Sequence, residues 1–447
     1  PPEGGRAANS STFPPLFPII PGAMTYAEIL AHIYSRGRFG MKPGLERISE
    51  ILSRLGNPQR RLATVQIAGT NGKGSTGAFL SSIISAAGYR TAFFSSPHLV
   101  SFCERFRIDG EQASEEEVAE VARRVLAVAP AEATFFEIVT AMAFQLFVDQ
   151  GVDLAVMETG MGGRWDATNV ADGLLSVITP VSLDHCEYLG DSLAAIAAEK
   201  AGIIRPGRPV IVGTQEGEAL QVIRAAGAAA GSPCFVFGED FLCERGGQGF
   251  SYSAGDYSLG RLTPGLMGRH QGGNMACAIT AARLLAPPRF IVDDGALAGG
   301  VAAARWPGRM ELFPGPPRIM LDGAHNPAGA AALAESLAEL EYDRLLLVAG
   351  VMADKAWEEL LRPLMPMAAR IIAVAPTLER ALEAETLAEF CRRCGADAAV
   401  GGTVRAGLEL ASALAGDGDL VLVCGSLFTV GEARSLLAGG EFMPIRG

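Results

Sequence analysis

A lysine and two hydroxyls sit among glycines in Gly69-Thr70-Asn71-Gly72-Lys73-Gly74-Ser75. Glycines let the backbone fold tightly and turn successive N–H groups inward, and a helix starting there adds the positive end of its dipole. From such a loop Lys73 can reach the outer phosphates of a nucleotide, and a hydroxyl of Ser75 or Thr76 can approach a magnesium ion. Two more loops with acid or imidazole groups follow apolar runs: Glu158 opens Glu158-Thr-Gly-Met-Gly-Gly-Arg-Trp165-Asp166-Ala167-Thr-Asn169, and His185 ends Ser182-Leu-Asp-His185. A carboxylate at the C-terminal end of a parallel strand sits where α/β sheets bind ligands. On spacing alone Glu158 is equally a magnesium ligand or a solvated loop acid. Lys200 falls on an apolar helical stretch, where an amine is costly to bury unless paired or chemically altered; with a snorkelling stem it would be an ordinary surface lysine.

The second half repeats the theme. Asp322 and His325 follow the apolar run Arg318–Leu321 and precede a helix with Pro327 near its first turn. Gly268-Arg-His-Gln271-Gly-Gly-Asn274 opens a helix rich in small residues, and Trp306-Pro-Gly-Arg309 lies in a loop. Thr134-Phe135-Phe136-Glu137 fits a capping box, which by itself needs no ligand.

These residues are positioned by alternating strands and helices. Thr64–Ala68, Thr91–Phe94, Val152–Met157, Leu174–Thr179 and Val210–Val212 read as buried strands. Helices are expected at Ser75–Ala87 with Gly88 as its stop, Glu115–Val128, Glu137–Val148 and Ser192–Ala201, the last capped by Asp191. A second series has strands Arg318–Leu321, Leu345–Ala349, Ile371–Val374 and Leu420–Val423, with helices at Ala328–Leu340 and Thr403–Leu414. Between the series, Ala296–Pro317 is Gly/Pro-rich and without clear periodicity, and the domain junction is placed there. The expected class is α/β with two domains: an N-terminal parallel or mixed sheet of phosphate-loop type with flanking helices, and a C-terminal Rossmann-like α/β domain. Residues 1–23 read as a loose leader, 24–305 as the first domain and 306–447 as the second.

Composition narrows the function classes. The 447 residues are 49% apolar and 19% charged, enough to bury sizeable cores. Lysine and arginine number 37 against 49 acids, a net charge of −12, so a whole-protein footprint for nucleic acid is missing. An anionic substrate must then be met by local cations, helix N-termini or metal ions. No apolar run reaches the roughly 18 residues of a membrane span. Eight irregularly spaced cysteines make no disulfide framework and fit a reducing cytoplasm; Cys391-x-x-Cys394 has no second pair to complete a zinc site.

The loop with its extra glycine resembles the Mur ligase superfamily and, within it, folylpolyglutamate synthase and dihydrofolate synthase. Cell-wall members carry Ser or Thr directly after the lysine. Phe94-Ser95-Ser96-Pro97-His98-Leu-Val100 and Glu104-Arg-Phe-Arg107-Ile-Asp-Gly110 resemble the folate branch's signature, and the likeness runs from about Thr25 to the C-terminus. It implies an ATP-dependent amide ligase of the bifunctional bacterial type. The carboxylate of dihydropteroate, or of a reduced folate, would be phosphorylated by Mg-ATP, and the acyl phosphate attacked by the amine of L-glutamate. It further implies two magnesium sites held by Glu158, His185, Ser96 or its neighbour Ser95, and Lys200 as a carbamate. Asn274 would meet adenine, Asp322 the ribose, and Arg309 and His325 the phosphates, with Lys73, Lys200, Arg309 and His325 carrying catalysis. Thr134–Glu137 and Trp165-Asp166-Ala167 would line the pteroate pocket, although Trp165 replaces the family's usual Leu. Domain 24–305 would bind ATP and folate and 306–447 would be the glutamate-ligase domain, in a monomer with small-molecule partners only. Other readings share part of the pattern: polyglutamylation alone, a UDP-muramoyl amino-acid ligase, a non-enzymatic nucleotide switch, or an α/β protein with a degenerate site.

Overall fold

A computed structural model describes residues 24–36, 44–247, 249–285, 289–440 and 442–443; the expected leader, 1–23, lies outside them. The chain forms two α/β domains. In the first, eight strands lie in the order Glu111–Gln112, Phe106–Ile108, Thr91–Phe94, Leu154–Glu158, Thr64–Ala68, Leu175–Ile178, Val210–Val212 and Cys234–Val236. The last six are parallel, and the first two add an antiparallel edge. Helices cover both faces, so the central strands are buried throughout and read as unbroken apolar runs. In the second domain the order is Glu311–Phe313, Arg318–Leu321, Leu420–Cys424, Leu345–Ala349, Ala368–Ala375 and Ala398–Thr403. Only the first of these strands runs antiparallel to its neighbour.

Strand ends at Thr64–Ala68, Thr91–Phe94, Val210–Val212, Arg318–Leu321 and Leu345–Ala349 fall where the sequence predicts them. Other features depart from expectation. The phosphate-loop helix starts at Lys73 rather than Ser75 because Gly72, at φ +85°, turns the chain directly into it. A helix, Asp294–Ala303, occupies part of the expected irregular junction; the Asp293 side chain caps it, and Gly300 lets it lie against the Ile83 backbone. A three-stranded antiparallel sheet, Leu242–Gly246, Gly249–Ala254 and Tyr257–Leu262, is missing from the sequence reading altogether.

The helix at Leu193–Ala201, which carries Lys200, is capped by Ser192 and not by Asp191: the Ser192 Oγ accepts the Ala195 N–H at 3.2 Å. Asp191 sits one residue too early to reach that turn and is exposed. Ser192→Ala should therefore lower unfolding stability by about 1 kcal/mol, while Asp191→Ala should shift it by less than about 0.5 kcal/mol, as measured by denaturant titration.

Candidate active site

The Thr64–Ala68 strand delivers the chain into Gly69, whose φ is +148° and where a Cβ would stand 1.9 Å from Thr179 Oγ1. The turn is anchored from the next strand over: the Thr70 and Asn71 N–H groups donate to the Pro180 carbonyl at 2.9 and 3.3 Å. Lys73 bends back to donate to the Thr70 carbonyl at 3.3 Å and lies 3.8 Å from the Glu158 carboxylate. Of the two candidate hydroxyls, Ser75 lines the main cavity, whereas Thr76 is wholly buried and lines neither this cavity nor the smaller one beside it.

That cavity, about 1770 Å³, brings together Gly69–Ser75, Ser96, Glu158, His185 and Lys200 of the first domain with Arg309, Asp322 and His325 of the second. Ser95 does not line it. A smaller adjoining cavity of about 40 Å³ takes Ser95, and its hydroxyl turns to the Glu104 carbonyl at 3.5 Å. Ser96 borders both cavities, as do Glu158 and Arg309.

Burial dominates the electrostatics. It pushes the Glu158 carboxyl up to about 6, against the pull of Lys73 and Arg309. It pushes the Lys200 ammonium down to about 7, with Lys73 adding to the effect. The Lys200 Nζ donates to the Gly69 carbonyl at 2.9 Å, so the amine hangs on the first residue of the phosphate loop. Burial also pushes His185 down to about 4, which leaves it neutral at physiological pH. Asp184 is held at about 2 because its charged neighbours outweigh its own burial. With His185 neutral, the effective partner is Lys355 of the second domain, 2.7 Å away. The His325 Nδ1–H donates to the Gly323 carbonyl at 2.8 Å, and its Nε2 lies 3.9 Å from Asp184.

A second tie joins the domains at the loop itself. The Asn71 and Asn326 side-chain amides bond reciprocally at 3.2 and 3.0 Å, while Asn326 Oδ1 also accepts the Gly329 N–H as cap of the helix Pro327–Leu337. Neither Asp184–Lys355 nor Asn71–Asn326 follows from local pattern, since each pair joins residues more than 170 positions apart.

The remaining expected residues divide. Asn274 donates to Gln271 Oε1 at 2.9 Å, and its Oδ1 lies 2.4 Å from where a Gly72 Cβ would be, so it abuts the phosphate loop. The Asp322 carboxylate accepts the Met310 and Ala324 N–H groups, both at 2.9 Å, and so braces the linker that carries Arg309. The Thr134–Glu137 capping box forms, and the buried Glu137 also pairs with Arg47 at 3.0 Å. Phe135 stacks on Tyr34 with ring centres 5.3 Å apart, and Phe136 packs on Gly160. The Asp166 carboxylate accepts from the Gly160, Met161 and Thr168 N–H groups and from the Thr168 hydroxyl, which closes its own loop. Trp165 is 52% exposed, and Ala167 is buried. None of these seven residues lines the main cavity, but the two sets meet at Gly160, which does.

The three-stranded sheet supplies further cavity wall through Cys243, Arg245 and Phe250, with Arg245 paired to Glu339 of the second domain. Its sequence signal was the two-residue turn Gly255-Asp256, with Gly255 at φ +56°, between runs that pair as a hairpin.

Comparison with known proteins agrees with this geometry. Residues 67–282 match the Mur ligase middle domain and residues 308–427 the Mur ligase glutamate ligase domain. The chain is 35% identical to the dihydrofolate synthase/folylpolyglutamate synthase of Bacillus subtilis over 432 residues, covering 92% of this chain and 99% of that protein. The corresponding Escherichia coli enzyme is 33% identical, with 88% and 91% covered. The structure superposes on E. coli FolC in complex with DHPP and ADP with a TM-score of 0.86 at 32% identity, covering 93% of this chain and 98% of the other. It also superposes on the Yersinia pestis bifunctional enzyme complexed with AMPPNP and Mn ion with a TM-score of 0.86 at 30% identity, again covering 93% and 98%. By fold, by the cavity shared between its domains and by likeness along nearly its whole length, this chain belongs to the dihydrofolate synthase/folylpolyglutamate synthase family of Mur ligases.

Proposed function

We propose that the chain is an ATP-dependent ligase that adds L-glutamate to dihydropteroate and to reduced folates. The observation that carries this reading is the convergence of the Gly69–Ser75 loop, Glu158 and Lys200 with Arg309, Asp322 and His325 from the other domain on one cavity. A carboxylate oxygen of the acceptor attacks the γ-phosphorus of ATP, and ADP leaves. The glutamate nitrogen then adds to the acyl carbon of the mixed anhydride, phosphate departs from the tetrahedral intermediate, and the nitrogen loses its extra proton. No protein nucleophile is required; the chain positions three substrates and neutralises charge. Lys73 and the loop N–H groups hold the phosphates, Arg309 approaches from the linker, and closure of the domains keeps water from the anhydride.

The donor set fits magnesium. Glu158 is a buried carboxylate beside the phosphate loop, and Ser96 borders the same space. Among the described residues no three His, Cys, Asp or Glu side chains converge as a metal cluster, which suits an ion that completes its shell with substrate phosphates. Glu158 and His185 would hold one ion and Ser96 would offer its hydroxyl to the other, and the metal would screen the phosphates and polarise the γ-phosphoryl group. Lys200 fits carbamylation: its amine is buried, bonds only a carbonyl and has no ion-pair partner among the described residues. A carbamate there would present an anionic oxygen to a second ion. Phe136, packed on Gly160 at the cavity's edge, and the exposed Trp165 would offer ring faces for the pterin. Domains 24–305 and 306–447 would divide ATP and folate binding from glutamate capture, in a monomer. Among the described residues no helix is long and apolar enough to cross a membrane, and eight free cysteines go with a cytoplasmic setting.

The purified protein should release phosphate with ATP, magnesium and glutamate only when dihydropteroate or tetrahydrofolate is present, and a chelator should abolish release. Turnover on tetrahydrofolate alone would restrict the assignment to polyglutamylation, and release on neither would overturn it. Lys200→Ala should lower kcat by about 100-fold or more while changing AMPPNP affinity far less, as read by steady-state kinetics and calorimetry. A variant with unaltered kcat would remove Lys200 from the mechanism.

A further inference from the structure

Gly74 sets this phosphate loop apart, yet neither its backbone nor the loop's turn demands a glycine. It lies inside the helix Lys73–Ala86 without a positive φ, where glycine is less favourable than alanine. What occupies the missing side chain's place is a ring from the linker between the domains. A Cβ at position 74 would stand 2.6 Å from Trp306 Nε1, and 3.0 and 3.2 Å from Cε2 and Cζ2. One turn on, a Cβ at Gly77 would stand 2.3 Å from Phe93 Cζ, and Phe93 itself packs on Trp306 with ring centres 5.1 Å apart. Gly74 and Gly77 thus form a shelf on one helix face that seats both rings. Arg107 lies over Trp306, its guanidinium 5.2 Å from the ring centre.

The linker runs directly from this seat to the cavity. Gly308, at φ +70°, turns the chain between Trp306 and Arg309. Its N–H donates to Glu311 at 2.8 Å and its carbonyl accepts the Gly323 N–H at 2.8 Å. Arg309 then crosses Gly323, where a Cβ would stand 2.0 Å from its Nη1. Each end of the segment Trp306–Arg309 therefore rests on a glycine, one in the phosphate-loop helix and one in the second domain.

We propose that Trp306 is a positioning residue: seated on Gly74, it locks the interdomain linker to the phosphate loop and thereby sets Arg309 at the nucleotide. The extra glycine of the loop serves this seat and not the phosphates. The inference deepens the ligase assignment and rests on it for the role of Arg309.

A double-mutant cycle on the full chain tests it, using Gly74→Ala, Trp306→Ala and the two combined, with kcat, KM for ATP and affinity for Mg-AMPPNP as readouts. Gly74→Ala should cost about tenfold in kcat or nucleotide affinity when tryptophan is present, but less than about twofold when added to Trp306→Ala. Trp306→Ala should raise KM for ATP and lower kcat, and Trp306→Phe should recover most of the loss. Equal cost of Gly74→Ala in both backgrounds would overturn the proposal, because the glycine would then serve the phosphates. Unchanged kcat and KM in Trp306→Ala would also overturn it. Should Gly74→Ala fail to fold, a normally folded double variant supports the seat and an unfolded one refutes it. If the wild-type chain shows no ligase activity, the functional assignment fails, while AMPPNP affinity still decides whether the coupling exists.

Discussion

An acidic chain that must gather polyanions faces a repulsion problem, and the fold answers it with backbone dipoles and buried cations. Helices Lys73–Ala86, Gln271–Leu284 and Pro327–Leu337 are among those that begin at the cavity. Their dipole ends add positive potential without adding charge to the sequence. Lys73, Lys200 and Arg309 stand among them, in a chain of net charge −12. Their pairing with acids is loose: Lys73 lies 3.8 Å from Glu158, at the outer limit of an ion pair, and Lys200 turns to a carbonyl. This incomplete pairing inside the protein is what leaves the site with affinity to spend on ligands.

The site is divided between two domains, and polar side-chain pairs tie them together. Asp184 pairs with Lys355, Asn71 with Asn326 and Arg245 with Glu339. A reaction through a hydrolysable anhydride benefits from such closure, and the polar, partly exposed nature of these ties lets the domains part again.

Much of this was legible in the sequence because it is local. The glycines and lysine at 69–75, the strand-end acid Glu158 and the strand-end pair Asp322 and His325 occupy positions fixed by short-range rules, and they line one cavity. The rest depends on contacts between distant segments. The helix Asp294–Ala303 is rich in Gly and Ala and shows only Leu297 and Val301 as large apolar residues, a short signal; Gly300 lets it lie close to Ile83. The sheet at 242–262 has largely exposed strands, so alternation of buried and exposed residues is weak there. Glu137 was legible as the acid of a capping box with Thr134, but its pairing with Arg47 was not, and neither was the engagement of Asp166 by the N–H groups of its own loop.

Asn326 serves two masters. It terminates a helix in its own domain and, through the same side chain, grips Asn71 in the other. Separation of the halves would forfeit only the grip, since the cap survives on its own oxygen and water replaces the lost amide partners, at a net cost of about 1 kcal/mol per neutral hydrogen bond. A clasp that weak adds little to what holds the two halves together, so the helix cap and the interdomain grip can be lost independently.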